Sequence, residues 1–157
     1  MPQSADTGEV IRMCKDIDDK TLLRGRPAMP GNCEGLALVC PNSIMGWNGV
    51  DMDTGVIVEK GHPHEGESIK DRILVIPGSR GSIGWSDYFY GCHLHGCGPA
   101  AYVLTAMDSK CGTAIVMSGV PCVCDFPDGQ DPCQLIHSGD RVRVDGDLGT
   151  VKVLPKP

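Results

Sequence analysis

Ile73-Leu74-Val75-Ile76-Pro77-Gly78-Ser79-Arg80-Gly81-Ser82-Ile83-Gly84-Trp85-Ser86-Asp87-Tyr88-Phe89 is the stretch whose reading decides the fold. Its first four residues form an unbroken apolar run stopped by Pro77 and Gly78, the pattern of a strand covered on both faces. Residues 82–93 read as a helix. Between them stand Gly78, Gly81 and Gly84, with Ser79, Arg80 and Ser82 interleaved. A strand that turns through glycines into a helix leaves backbone N–H groups free at the positive helix end. Such a turn suits a small acidic ligand, and Ser82, at the mouth of the expected helix, is the candidate functional residue. Arg80 beside free N–H groups makes a fork for a carboxylate or phosphate, with Ser79 and Gly81 lining the same turn. Serine is also a favoured helix cap, so the residues alone admit a plain capped turn as well. The spacing matches neither a P-loop, which needs a following Gly-Lys-Ser/Thr, nor a dinucleotide fingerprint, nor a nucleophile elbow.

Outward from this turn the chain reads as short strands punctuated by glycine and proline. Residues 36–40, 55–59, 101–104 and 114–117 are expected strands, and 105–111 a second helix. Arg141-Val142-Arg143-Val144 and Thr150-Val151-Lys152-Val153-Leu154 alternate strictly on either side of a glycine-rich turn, the signal of a hairpin. Strands outnumber helices. The expected architecture is α/β: a layered or barrel-like sheet with one or two flanking helices, over residues 25–157. Residues 1–24 read as an extension, in which Val10, Ile11, Cys14 and Ile17 fall on one face of a short docking helix.

A chain of 157 residues is long enough for one domain with a real core. Its net charge of −6 argues against nucleic acid or an anionic membrane as partner. No run reaches the length of a membrane span, and residues 1–16 lack the apolar core of a signal peptide, so a cytoplasmic location is expected. The nine cysteines are an odd number and several sit inside apolar runs, as Cys40, Cys122 and Cys124 do. They read as reduced, buried small hydrophobes. Cys92-His93-Leu94-His95-Gly96-Cys97, His62-Pro63-His64 and Cys122-Val123-Cys124 invite a zinc reading, but none shows the paired Cys-x2–4-Cys knuckles of a closed site. Asp51 and Asp53 lack the later acidic ligand of a calcium loop, and turn chemistry accounts for them. No metal ligand is assigned in this chain.

Gly25-Arg26-Pro27, Glu34-Gly35-x-Ala37-Leu38-Val39, Trp47-x-Gly49-Val50-Asp51-x-x-Thr54-Gly55-Val56-Ile57, His62-Pro63, Gly66-Glu67-Ser68, Leu74-Val75-x-Pro77 and Arg80-Gly81-Ser82 occur in one order. Together they resemble the small, swivelling subunit of aconitase X, over residues 25–154. The resemblance implies a swivelling β/β/α domain that closes over a large catalytic subunit in an iron-dependent hydro-lyase acting on a small hydroxy acid. It implies Ser82 as the proton acceptor, and an iron or iron–sulfur centre held mainly by the large subunit. Two substrates are attributed to the family, cis-3-hydroxy-L-proline and mevalonate 5-phosphate. The richness in thermolabile Cys and Met favours the hydroxyproline branch, the mevalonate branch being mostly archaeal. Two places depart from the family's pattern: Trp47-Asn48-Gly49 stands for Trp-Gly-Gly, and Ile83-Gly84-Trp85 for Ser-Thr-Gly. A non-catalytic anion-binding swivelling module and a zinc-stabilised interaction domain are the competing readings.

Overall fold

The computed structural model describes residues 21–156. In chain order its strands are β1 (Leu22–Arg24), β2 (Arg26–Met29), β3 (Asn32–Val39), β4 (Ile73–Ile76), β5 (Ala101–Leu104), β6 (Cys122–Cys124), β7 (Arg141–Asp145) and β8 (Thr150–Val153). The helices are α1 (Trp85–Leu94), α2 (Ser109–Ser118) and the single turn α3 (Pro132–Leu135). The strands form one eight-stranded sheet in the order β1-β8-β7-β3-β4-β5-β6-β2. Its centre, β3-β4-β5-β6, is parallel, and both wings are antiparallel.

The two edge strands, β1 and β2, are consecutive in the chain with only Gly25 between them. One continuous segment therefore stitches the sheet's two edges together, and the sheet closes like a barrel. Gly25 makes that corner possible. Its N–H donates to the Gly149 carbonyl (2.8 Å), and a Cβ there would lie 2.6 Å from the Cys124 carbonyl oxygen. The sheet thus takes in Leu22–Arg24, residues the sequence reading gives to the extension. The docking helix read at residues 10–17 lies outside the described residues.

The central strands are buried on both faces, as an apolar run without alternation requires. Ile73 and Val75 join Ala37, Val39, Ala101, Val103, Val123, Val142, Val144 and Val151 inside the closed sheet. Leu74 and Ile76 point the other way, with Leu38, Tyr102, Leu104, Cys122 and Cys124, and pack under α1, α2 and the loop between β3 and β4. Trp85 and Phe89 of α1 stack face to face there, with ring centroids 3.9 Å apart. All eight described cysteines are free. Burial pushes the Cys40 thiol up to about 12, and raises Cys111 and Cys122 further, so they pack as hydrophobes and not as nucleophiles.

Three sequence expectations need correction. Residues 114–117 are helical, not a strand: Asp108 caps α2 by accepting from the N–H groups of Lys110 (3.1 Å) and Cys111 (3.0 Å), and Gly119 ends it in the left-handed conformation. That places Cys111, Ala114 and Ile115 on one buried face, overriding the strand preference of Ile115-Val116. The helix expected at 105–111 accordingly starts later, because Thr105 and Ala106 donate back to Ile76 and Pro77. Residues 55–59 form no strand. Val56 and Ile57 make single bridges to Ser68 and Val50, with turns bending the chain on both sides. Among the described residues no helix is long and apolar enough to cross a membrane.

Candidate functional site

The turn after β4 is fastened at both ends before it reaches Ser82. Ser79 donates through both its N–H (2.7 Å) and its hydroxyl (2.9 Å) to the Asp108 carboxylate, the same group that caps α2. Burial alone would raise that carboxyl, but the N–H groups of Cys111 and Ser79 outweigh it and hold Asp108 below the usual carboxylate range. On the other side Ser43, buried and left-handed at φ 61°, donates its hydroxyl to the Gly78 carbonyl. Gly46 N–H donates to the Arg80 carbonyl (2.9 Å) within a bridge between Met45 and Arg80. The loop before β4 and the turn after it therefore form one unit.

Ser82 lies at the open crest of this unit and is exposed. The helix starts later than the sequence suggests, at Trp85, and its cap position is Gly84, which makes no side-chain cap bond. Ser82 is not the helix cap. Its Oγ instead accepts the Gly84 N–H (3.2 Å), while its carbonyl receives Trp85 N–H (3.1 Å). The N–H groups of Gly81, Ser82 and Ile83 meet no acceptor among the described residues, and Lys110 Nζ reaches the Gly81 carbonyl (2.8 Å). An exposed hydroxyl beside unused N–H groups, a lysine ammonium and the start of a helix is chemically competent to hold or accept charge.

Arg80 does not stand free beside that serine. Its Nη2 pairs with Glu59 Oε1, and Glu59 Oε2 accepts the Met45 N–H (2.8 Å). Burial raises the Glu59 carboxyl, yet Arg80 and the Met45 N–H together bring it below its ordinary value, so the pair is charged. Arg80 is thus a fixed wall of the site. Ser79, read from the sequence as a substrate contact, has both its donors committed to Asp108. Glu59, Asp108 and Ser43 were not read from the sequence. Only Asp108 carried a local signal, as an N-cap residue ahead of an apolar periodic run.

The two departures from the family pattern have physical reasons. Asn48 adopts φ 56°, where glycine is cheapest and asparagine the most tolerated substitute. Its Oδ1 also accepts the Tyr88 hydroxyl (2.7 Å). At Ile83-Gly84-Trp85, Trp85 anchors the turn in the core and Ile83 stands 83% exposed. Gly84 gives room to Trp47, whose ring would lie 2.8 Å from a Cβ at that position and which packs edge-on to Tyr88.

The clusters that suggested metals do not converge. Cys92, Cys97 and His95 each turn to a backbone carbonyl of residues 51–52, at 3.7, 3.2 and 2.7 Å. Asp51 Oδ1 accepts from Asp53 N–H (2.8 Å) and Thr54 N–H (3.1 Å), an ordinary turn. Among the described residues no group of three or more His, Cys, Asp or Glu side chains is arranged to hold a metal, so this part of the chain does not fit an iron centre of its own.

The family model described as the aconitase X swivel domain matches residues 22–153. A phosphomevalonate dehydratase small subunit from Methanocella arvoryzae is 33% identical over 131 residues, 83% of this chain and 98% of the relative. Another of that name, from Thermococcus sibiricus, is 35% identical over 131 residues, 83% and 97% of the two chains. A crystal structure of aconitase X from Thermococcus kodakaraensis, in its holo-form, superposes with a TM-score of 0.78 at 29% identity, covering 85% of this chain and 98% of that one.

Proposed function

The chain belongs to the aconitase X swivel-domain family, and from that premise we propose that it is the small subunit of a dehydratase acting on mevalonate 5-phosphate. In this reading a large catalytic subunit closes over the exposed crest at Ser82, and the two together form the active site. The observation that carries the reading is local. Ser82 has no capping duty, is open to solvent, and receives an N–H on its oxygen.

Elimination of water from a β-hydroxy acid needs a base for the proton beside the carboxylate. Ser82 Oγ, in its alkoxide form, takes that proton and returns to the neutral hydroxyl. A serine oxygen serves as a base only where its negative form is stabilised, and the Gly84 N–H supplies a donor aimed at it. The unused N–H groups of Gly81, Ser82 and Ile83 orient the substrate's carboxylate, and Lys110 adds positive charge at the same turn. Ser79 holds the turn in register through Asp108 without touching substrate. An iron or iron–sulfur centre, which in this reading the large subunit would hold, would supply Lewis acidity for departure of the hydroxyl when bound. Eight free cysteines among the described residues suit a reducing, cytoplasmic setting.

The composition favoured cis-3-hydroxy-L-proline, but the relatives are named for phosphomevalonate, and the reading moves with them. The test is reconstitution with the large subunit, followed by turnover assays on both compounds. Dehydration of mevalonate 5-phosphate with no more than trace activity on cis-3-hydroxy-L-proline is expected. The reverse preference would return the chain to the hydroxyproline branch, and inactivity on both would remove the dehydratase reading.

A further inference from the structure

A cavity of about 440 Å³ is lined by Asn42, Glu59, Lys60, His62 and Arg80 with adjoining backbone, and Arg80 ties it to the turn that carries Ser82. We propose that this cavity is the phosphate pocket of the site, receiving the phosphoryl end of the substrate while the turn at residues 81–84 receives the reacting end. The proposal rests on the dehydratase reading above and deepens it.

Most polar groups that line the cavity are already committed. His62 is a wall, because its Nε2 meets the Ser43 carbonyl (2.9 Å) and its Nδ1 accepts the His64 N–H (2.9 Å). Both Glu59 oxygens are occupied, by Arg80 and by the Met45 N–H. The Gly61 N–H is held by Glu65 (3.1 Å). What is left over is made of donors. Of the Arg80 guanidinium Nη2 is held by Glu59 and Nε is closed off from solvent, which leaves Nη1 as the donor it can offer. Lys60 is 94% exposed and pairs with Glu65 at 3.6 Å, an exposed ion pair that a second anion can share or displace. The Asn42 amide has no partner among the described residues and provides a further N–H pair.

The Asn42 amide, the unengaged hydrogens of the exposed Lys60 ammonium and the open side of the Arg80 guanidinium surround one cavity whose lining carboxylate is already paired, an arrangement that suits a ligand rich in acceptors and negative charge. A carboxylate has two oxygens, which one guanidinium satisfies. A phosphate monoester offers three oxygens and close to two charges at neutral pH, and matches a set of Arg, Lys and amide donors better. Position agrees. Arg80 belongs to both the cavity and the turn, and lies two residues from Ser82, at most about 7 Å of extended backbone. One short phosphorylated hydroxy acid can reach both. The same pocket rejects cis-3-hydroxy-L-proline, which has no second anion and would bring its ring ammonium towards Lys60 and Arg80.

The experiment pairs kinetics on the reconstituted complex with NMR on the full chain, using Lys60→Ala and Asn42→Ala. Both positions are exposed, so the fold is expected to survive. The expected result is a KM for mevalonate 5-phosphate raised about tenfold or more, kcat within about twofold, and competitive inhibition by inorganic phosphate weakened in step. Inorganic phosphate added to the full chain shifts the Asn42 side-chain amide and the Lys60 and Gly61 amides, and Lys60→Ala removes those shifts. An unchanged KM, or phosphate shifts absent from these groups or indifferent to Lys60→Ala, overturns the pocket. If the complex dehydrates neither compound while the shifts hold, the pocket stands as a phosphate site and the dehydratase reading falls.

Discussion

Val75 and Ser82 lie close in sequence, on either side of one turn, yet they belong to different regimes. Val75 sits inside the closed sheet with no exposed surface, in a cluster of small and β-branched side chains from six strands. Ser82 stands in the open, its backbone neighbours fastened by Asp108, Ser43 and Gly46 while its own N–H and those beside it stay unused. Stability is concentrated around the first and chemical capacity around the second. What separates them is a short stretch of backbone held by polar ties instead of apolar contact. A rigid interior lets the turn dispense with packing of its own and leave donors unpaired.

Substitutions on the two sides should therefore fail differently. The largest loss of stability is expected from Leu74→Ala, which empties a fully buried position in the layer under the helices. Removing that side chain should cost about 2–5 kcal/mol in urea unfolding, while the surviving folded subunit supports normal turnover in the complex. A loss below about 1 kcal/mol would mean that the two-faced core does not carry the fold. Next comes Gly84→Ala, at the border between the regimes. Its methyl would crowd the Trp47 ring, costing about 1–3 kcal/mol, and Trp47 fluorescence should change. An unaltered emission spectrum would show that the ring does not rest there.

Asp108→Ala should cost about 1 kcal/mol from the lost cap and also release Ser79. Turnover should fall more than stability, because the register of the turn depends on this tie. The smallest effect is one of pH. Asp108, Glu59 and Asp51 are all held below their ordinary values in the folded chain. Each therefore binds fewer protons folded than unfolded near its pKa. Their contribution to stability is complete above the unfolded carboxylate range, about 3.9–4.3, and fades as pH falls through the folded values. Denaturant midpoints should be flat from neutrality to about pH 5 and fall below it, less steeply in Asp108→Ala. An equally steep fall in the variant would assign the acid sensitivity elsewhere.

The interior was far more legible in the sequence than the edges of the sheet. The apolar runs at 73–76 and 101–104 and the alternation of the terminal hairpin each announce a strand without help from a partner. β1 and β2 do not: residues 22–24 read as part of the extension and 26–29 show no apolar run or alternation, and they become strands through β8 and β6, which are distant in sequence. Residues 114–117 misled because β-branching is a weaker determinant than the Asp108 cap and the Gly119 stop. At the site, the glycine turn pointed to Ser82 and Arg80, since strand, turn and helix are contiguous. It did not reveal that Arg80 belongs to Glu59, a partner in a loop without regular structure.

The most direct test of the account is Ser82→Ala assembled with the large subunit. The residue is exposed, so the unfolding midpoint and the pairing with the large subunit should match the unsubstituted chain. Turnover of mevalonate 5-phosphate should drop by about 10²–10⁴-fold with KM little changed. Near-normal turnover in an intact complex would contradict the assignment of Ser82 as the proton acceptor.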